Sequence, residues 1–125
     1  MSKAIRIHAN GGPEVLGYEE VETEQPGAGQ VLVRHTAIGL NFIDVYYRSG
    51  LYPPPGGFPL TPGSEAAGVV VEVGQGVDWL KPGDRIAYAV STGAYAEQRL
   101  VDASHVVKVP DGVSDEQAAA MMLKG

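Results

Sequence analysis

The chain has 125 residues, the size of one domain rather than two. Lys and Arg number 9 against 15 Asp and Glu, a net charge of −6. That balance argues against a grip on nucleic-acid phosphates or on an anionic membrane surface. With no cysteine there is no disulfide framework, no cysteine-ligated zinc or iron–sulfur cluster and no thiol nucleophile, a usage that fits a reducing compartment. The opening MSKAIRIHANGG lacks the apolar core of a signal peptide, and no apolar run approaches the ~18 residues of a membrane helix, so a cytoplasmic location is expected.

Seventeen glycines and nine prolines punctuate the chain about every 8 to 15 residues, a spacing that predicts many short strands. Residues 3–8, KAIRIH, alternate apolar and polar side chains and run into a turn at Asn10 to Pro13, which predicts a half-buried strand. Residues 14–22 form a second, less regular strand, and PGAG at 26–29 breaks the chain again. Residues 30–38, QVLVRHTAI, alternate clearly, with Val31, Val33 and His35 on one face and Leu32, Arg34 and Thr36 on the other.

The stretch NFIDVYYRSG, 41–50, predicts a helix. Asn41 suits its N-cap, Asp44 the positive end of its dipole, and Gly50 its C-terminal stop. Phe42, Val45 and Tyr46 share one face, and Phe42 and Val45 are expected in the core. LYPPPGGFPLTPGS, 51–64, holds five prolines and suits neither helix nor central strand; a loop this long is more often functional than filler. EAAGVVVEV, 65–73, predicts a buried strand, and Lys81-Pro82-Gly83-Asp84 a type II turn. Residues 85–89, 94–101 and 105–109 are three more short strands. A second helix runs over about 114–124, with Ser114 and Gln117 at capping-box spacing. The fold class is mainly β: one partly open, barrel-like domain with a short helix at about 42–48 and a C-terminal helix.

No self-sufficient catalytic motif is present. Gly74-Gln75-Gly76 follows a strand, but Trp79 stands where a dinucleotide fingerprint needs its third glycine, and a turn follows where it needs a helix. His8, His35 and His105 are scattered, so no zinc site is expected. The candidate site residues carry double readings. Asn41 is a helix cap or a hydrogen-bonding group offered to a ligand. Tyr46 and Tyr52 are rim residues or phenols offered to a ligand. Asp44 is a helix-terminal charge that Arg48, four residues on, pairs with. Glu65, opening a buried strand, calls for a partner. Lys124 has no readable role.

The segments HANGGPEVL, PGAGQVLVR, GLNFIDVYYRSGLYP, TPGSEAAGVVVEVG, KPGDRIAY, GAYAE and EQAAAMMLKG occur in one order. In that order the chain resembles the N-terminal half of the quinone oxidoreductase (zeta-crystallin-like) branch of the medium-chain dehydrogenase/reductase superfamily, over essentially its whole length. The resemblance implies a GroES-like domain over 1–125 that carries most of the substrate cleft. It further implies a Rossmann NADPH-binding domain that this chain does not include, and NADPH bound mainly there. Zinc relatives usually have Cys where Asn41 stands, His where Ser64 stands and a four-cysteine lobe after the KPGD turn, so the zinc-free branch is implied.

On that basis Asn41, Tyr46 and Tyr52 are candidate catalytic residues. Asn41, Phe42, Ile43, Asp44, Val45, Tyr46 and Arg48 are candidate cofactor contacts, and Tyr52 and Glu65 belong to the substrate cleft. The implied reaction is metal-free hydride transfer from NADPH to a quinone or conjugated carbonyl, by a homodimer when full-length; the chain alone is expected to be inactive. The rival readings are an enoyl reductase module of the same superfamily and a non-catalytic binding module whose Met121, Met122 and Leu123 await a partner.

Overall fold

The computed structural model describes residues 2–52, 57–90 and 92–121. The clearest alternation in the sequence becomes the longest strand, β3 (Gln30–Gly39). It follows β1 (Ser2–Arg6) and β2 (Gly17–Val21) and leads into the helix α1 (Phe42–Ser49). Then come β4 (Glu65–Val73), β5 (Arg85–Ala89), β6 (Gln98–Asp102), β7 (Val106–Lys108) and the helix α2 (Asp115–Met121). β1 and β2 form an antiparallel ribbon. The other five strands make one antiparallel sheet in the order β6-β3-β4-β5-β7. β6 and β7 remain its edges, so the sheet does not close into a full barrel among the described residues.

β4 reads as a continuous apolar run because both its faces are covered. Ala66 and Val70 join Val31, Val33, Ile86 and the fully buried Tyr88 in the main core. Ala67, one residue out of phase, turns to the opposite face and meets Ala87, Ala118 and Ala119. Small side chains on sheet and helix therefore let α2 lie close against the outer face. The predicted capping box of α2 is present: the Ser114 N–H donates to Gln117 Oε1 at 3.0 Å, and the Gln117 N–H to Ser114 Oγ at 3.1 Å. Arg85 of β5 fastens the same end. Its Nε and Nη2 donate to Asp115 Oδ1 at 3.0 and 2.7 Å, and Nη2 also reaches the Val113 carbonyl at 2.7 Å. Hydrogen bonding by Arg85, and then by Thr36, holds the Asp115 carboxyl below its ordinary pKa.

Several boundaries differ from the sequence reading. Pro13–Val15 is a turn of 3-10 helix, and the second strand begins only at Gly17. Of the strand expected over 94–101, only Gln98 onward pairs in the ladder. His105 ends a 3-10 turn rather than opening β7. Leu32 is buried like its neighbours Val31 and Val33, but only those two join the main core; β3 keeps its alternation, and the face that carries Leu32 is covered as well. The turn at 81–84 forms as expected, with the Asp84 N–H on the Lys81 carbonyl at 3.1 Å. Pro53, Pro54 and Pro55, Met122, Leu123 and Lys124, and the side chain of Met121, lie outside the described residues.

His35 and Tyr88 form a polar pair inside the sheet. His35 Nδ1 lies 2.6 Å from the Ala96 carbonyl and Nε2 lies 2.6 Å from the Tyr88 hydroxyl. A carbonyl only accepts, so Nδ1 carries the proton and the Tyr88 hydroxyl donates to Nε2. Burial lowers the His35 pKa from 6.5 to about 4 and raises that of Tyr88 to about 12.

Two outcomes follow. The unfolded chain takes up the His35 proton more readily than the folded one. Stability from this site is therefore complete above about pH 6.5 and is lost as the pH falls toward about 4, a change on the order of 3 kcal/mol. Urea unfolding across that window shows this slope in the parent and a flatter one in His35→Gln; equal slopes refute the assignment. Arg85→Met removes the clamp on α2. It lowers unfolding free energy by about 1 kcal/mol, discounted for partial exposure, and speeds amide exchange in α2 while leaving β3 unchanged; unaltered exchange in α2 speaks against the clamp.

Candidate functional site

α1 begins as its sequence dictates. Asn41 has extended N-cap geometry at φ −136° and ψ 155°, and Gly50 closes the helix in the left-handed region at φ 91°. The Asp44 Oδ2 accepts the Asn41 backbone N–H at 3.1 Å, and the Asp44 N–H returns to the Asn41 carbonyl at 3.0 Å. The face that α1 turns inward is not the expected one. Phe42, expected in the core, is 79% exposed, and Val45 is only half-buried; the buried residue of α1 is Asp44, 4% exposed. A helix face that buries a carboxylate needs polar groups opposite it, and the body of the domain supplies them.

The first of these is Tyr95, whose hydroxyl donates to Asp44 Oδ2 at 2.6 Å. Burial and the Asp44 carboxylate raise the Tyr95 pKa, so the phenol keeps its proton. Asp44 Oδ1 is buried with no hydrogen-bond partner among the described residues. Glu65, 2% exposed at the start of β4, accepts the Asn41 side-chain amide at 3.0 Å. It has room because residue 39, its cross-strand neighbour, is glycine: a Cβ there would stand 2.3 Å from Glu65 Cγ. The buried Asn41, Asp44 and Glu65 and the half-buried Tyr95 thus form one polar group at the N-terminus of α1. An amide has two N–H donors and an acceptor oxygen, so Asn41 retains donor and acceptor capacity beyond its bond to Glu65.

Tyr46 and Tyr52 come together at the other end of the same helix. Their rings meet edge to face at 5.5 Å, and Tyr47 packs against Tyr52 at 6.0 Å. Tyr52 is 44% exposed, so this aromatic group is a rim. Ile43 is half-buried in the first turn of α1. Arg48 does not pair with Asp44. Its Nε donates to the Gly11 carbonyl at 3.2 Å, and its own carbonyl accepts the Gly11 N–H at 3.0 Å, fastening the 10–13 turn to the helix. Sequence reasoning missed Tyr95 and Gly39, whose partners lie far along the chain.

A hollow of about 510 Å³ lies beside this group, between β1 and the C-terminal half of β3, with Ile5, Tyr18, Ile38, Leu40 and Tyr95 among its walls. None of Asn41, Tyr46, Tyr52 or Glu65 lines it. Tyr95 and Leu40 also wall a small cleft of about 70 Å³ beside Asp44 and Val45. The polar group at α1 is the stronger candidate, because buried carboxylates held by designated donors carry directional chemistry that an apolar hollow lacks. Among the described residues no three His, Cys, Asp or Glu side chains gather as metal ligands. No described helix is long and apolar enough to cross a membrane.

Comparison with known proteins fits this geometry. Residues 27–111 match the alcohol dehydrogenase GroES-like domain. The chain is 54% identical to a quinone oxidoreductase of Pseudomonas aeruginosa, over all of this chain and 38% of that protein. The crystal structure of quinone oxidoreductase from Pseudomonas syringae superposes with a TM-score of 0.94 at 54% identity, covering 100% of this chain and 38% of the other. That of Escherichia coli quinone oxidoreductase complexed with NADPH superposes with a TM-score of 0.93 at 46% identity, covering 98% and 37%. The chain therefore spans a little over a third of the length of these relatives. With its mainly β architecture and a match over residues 27–111, the chain belongs to the GroES-like domain family of the alcohol dehydrogenases.

Proposed function

We propose that the chain is the substrate-side domain, residues 1–125, of a zinc-free NADPH-dependent quinone reductase, active on a quinone or another conjugated carbonyl. The observation that carries this reading is the buried polar group at α1. Its Asn41 is held by Glu65 at 3.0 Å and by Asp44 at 3.1 Å yet keeps hydrogen-bonding capacity to spare. Likeness to the quinone oxidoreductases supports the reaction class, and the NADPH complex of the Escherichia coli enzyme supports the cofactor.

The residues at this end of α1 suit a ligand that is part apolar ring and part hydrogen-bonding edge. Leu40 and Phe42, each 79% exposed, flank the buried Asn41. Bound NADPH would supply the hydride, and a nucleotide domain elsewhere in the longer protein would hold most of it. Asn41 orients a carbonyl or ribose hydroxyl with its amide. Phe42, Ile43 and Val45 form the wall of the first turn beside it. Asp44 acts by fixing that turn, while Arg48 ties the far end of the helix to Gly11. Tyr46 and Tyr52, toward the other end of α1, offer phenol hydroxyls to a quinone that extends along the helix, with the reaction's proton drawn from solvent. Glu65, buried at the start of β4, holds the Asn41 amide from below. This chemistry needs no metal: polarisation comes from hydrogen bonds. A cytoplasmic homodimer completes the proposal.

In the longer protein, p-benzoquinone is expected to drive NADPH oxidation. Asn41→Ala, with far-UV circular dichroism unchanged, cuts kcat/KM by roughly tenfold to a hundredfold. A parent protein that leaves NADPH unoxidised in the presence of the quinone overturns the proposal.

A further inference from the structure

We infer that Tyr95 is a positioning residue for this reaction: its hydroxyl, acting through Asp44, sets the first turn of α1 and with it the amide of Asn41. The inference rests on the reading of Asn41 as the group that faces cofactor and substrate.

Tyr95 is seated firmly enough for this task. Its N–H donates to the Pro62 carbonyl at 2.8 Å, and its carbonyl accepts the Ile5 N–H at 2.8 Å. Its ring edge lies where a side chain at residue 63 would begin, with Cδ1 2.5 Å from the place of a Cβ; Gly63 is also left-handed at φ 106°. The ring is thus fixed to β1 and to the segment entering β4 before its hydroxyl reaches Asp44.

The hydroxyl and the Asn41 N–H converge on one oxygen, Asp44 Oδ2, at 2.6 and 3.1 Å. The other oxygen has no partner among the described residues. A carboxylate only 4% exposed depends strongly on the few donors it has. Without the phenol, Asp44 keeps a single donor, and turning toward water then becomes the favourable alternative. Because Asp44 lies three residues from Asn41, that movement carries the N-cap with it. On the other side of Asn41, Glu65 follows two residues after Gly63, which the Tyr95 ring packs against. Both carboxylates that hold Asn41 are thereby located by Tyr95, one through its hydroxyl and one through its backbone and ring contacts.

A purely structural tyrosine would give stability alone, so the test separates the two roles. Tyr95→Phe keeps the ring and removes the hydroxyl. In the longer protein we expect unchanged circular dichroism and faster hydrogen–deuterium exchange in the peptide spanning 41–49. With NADPH and p-benzoquinone, kcat falls by roughly tenfold, with a smaller change in KM. In an Asn41→Ala background the same substitution changes kcat by less than about twofold, since its route of action is gone. Asp44→Asn keeps the shape but replaces one accepting oxygen by a donor, and shows the same coupling to Asn41→Ala even where Tyr95→Phe folds poorly. Equal losses in both backgrounds, or unaltered exchange over 41–49, overturn the inference. Full activity in Tyr95→Phe beside a crippled Asn41→Ala overturns the inference alone. Full activity in Asn41→Ala removes the reading of Asn41 and the inference with it.

Discussion

Asp44 occupies the position on α1 where an amphipathic helix ordinarily puts leucine or valine. Burying a carboxylate costs several kcal/mol unless donors replace the lost water. Here the replacements are the Tyr95 hydroxyl and the Asn41 N–H, with the positive end of the helix dipole adding to them. The choice of a polar contact over an apolar one has a geometric result. Apolar faces slide against each other at little cost, whereas a bond of 2.6 Å fixes distance and direction together. The helix that carries Asn41 is therefore held in register, and Phe42 is turned outward.

The segment 94–97 distributes that constraint. It reads as strand, yet it follows no single ladder. Ala94 and Tyr95 donate to Gly63 and Pro62, Ile5 donates to Tyr95, Glu97 donates to Lys3, and His35 donates to Glu97. The Ala96 N–H closes a tight turn onto Ala94. Four residues thus join β1, β3, the segment before β4 and, through the Tyr95 side chain, α1. A regular strand would bond the same neighbours on both sides and reach fewer elements.

Much of the framework was legible because local rules govern it. The period of two gave β3 and the β-branched run gave β4; Asn41, Gly50, Ser114 and Gln117 gave the helix ends. Failures came where a distant partner outcompeted a local one. Arg48 stands at the right spacing for Asp44, but the Gly11 carbonyl captures it and Tyr95 takes its place. Phe42 fits the apolar stripe of α1, but helical periodicity says nothing of what the stripe faces, and here the facing surface is polar. Asn41 and Glu65 were legible only as candidates, since the bond between them spans 24 residues. Gly39 left no local sign at all: its lack of a side chain makes sense only beside Glu65.

The same segment also ties the site to the stability of the sheet. His35 donates from Nδ1 to the Ala96 carbonyl and accepts from Tyr88 at Nε2, an arrangement only the neutral ring can make. A second proton would turn Nε2 into a donor facing a hydroxyl that is itself donating, so Tyr88 would need another acceptor inside the core. The Ala96 carbonyl adjoins Tyr95, whose hydroxyl holds Asp44. One stretch of chain therefore receives a bond from the half-buried histidine and, through the Tyr95 side chain, extends one to the helix that carries Asn41. A segment that must satisfy both has little freedom to relax for either, which is why its path departs from a plain strand.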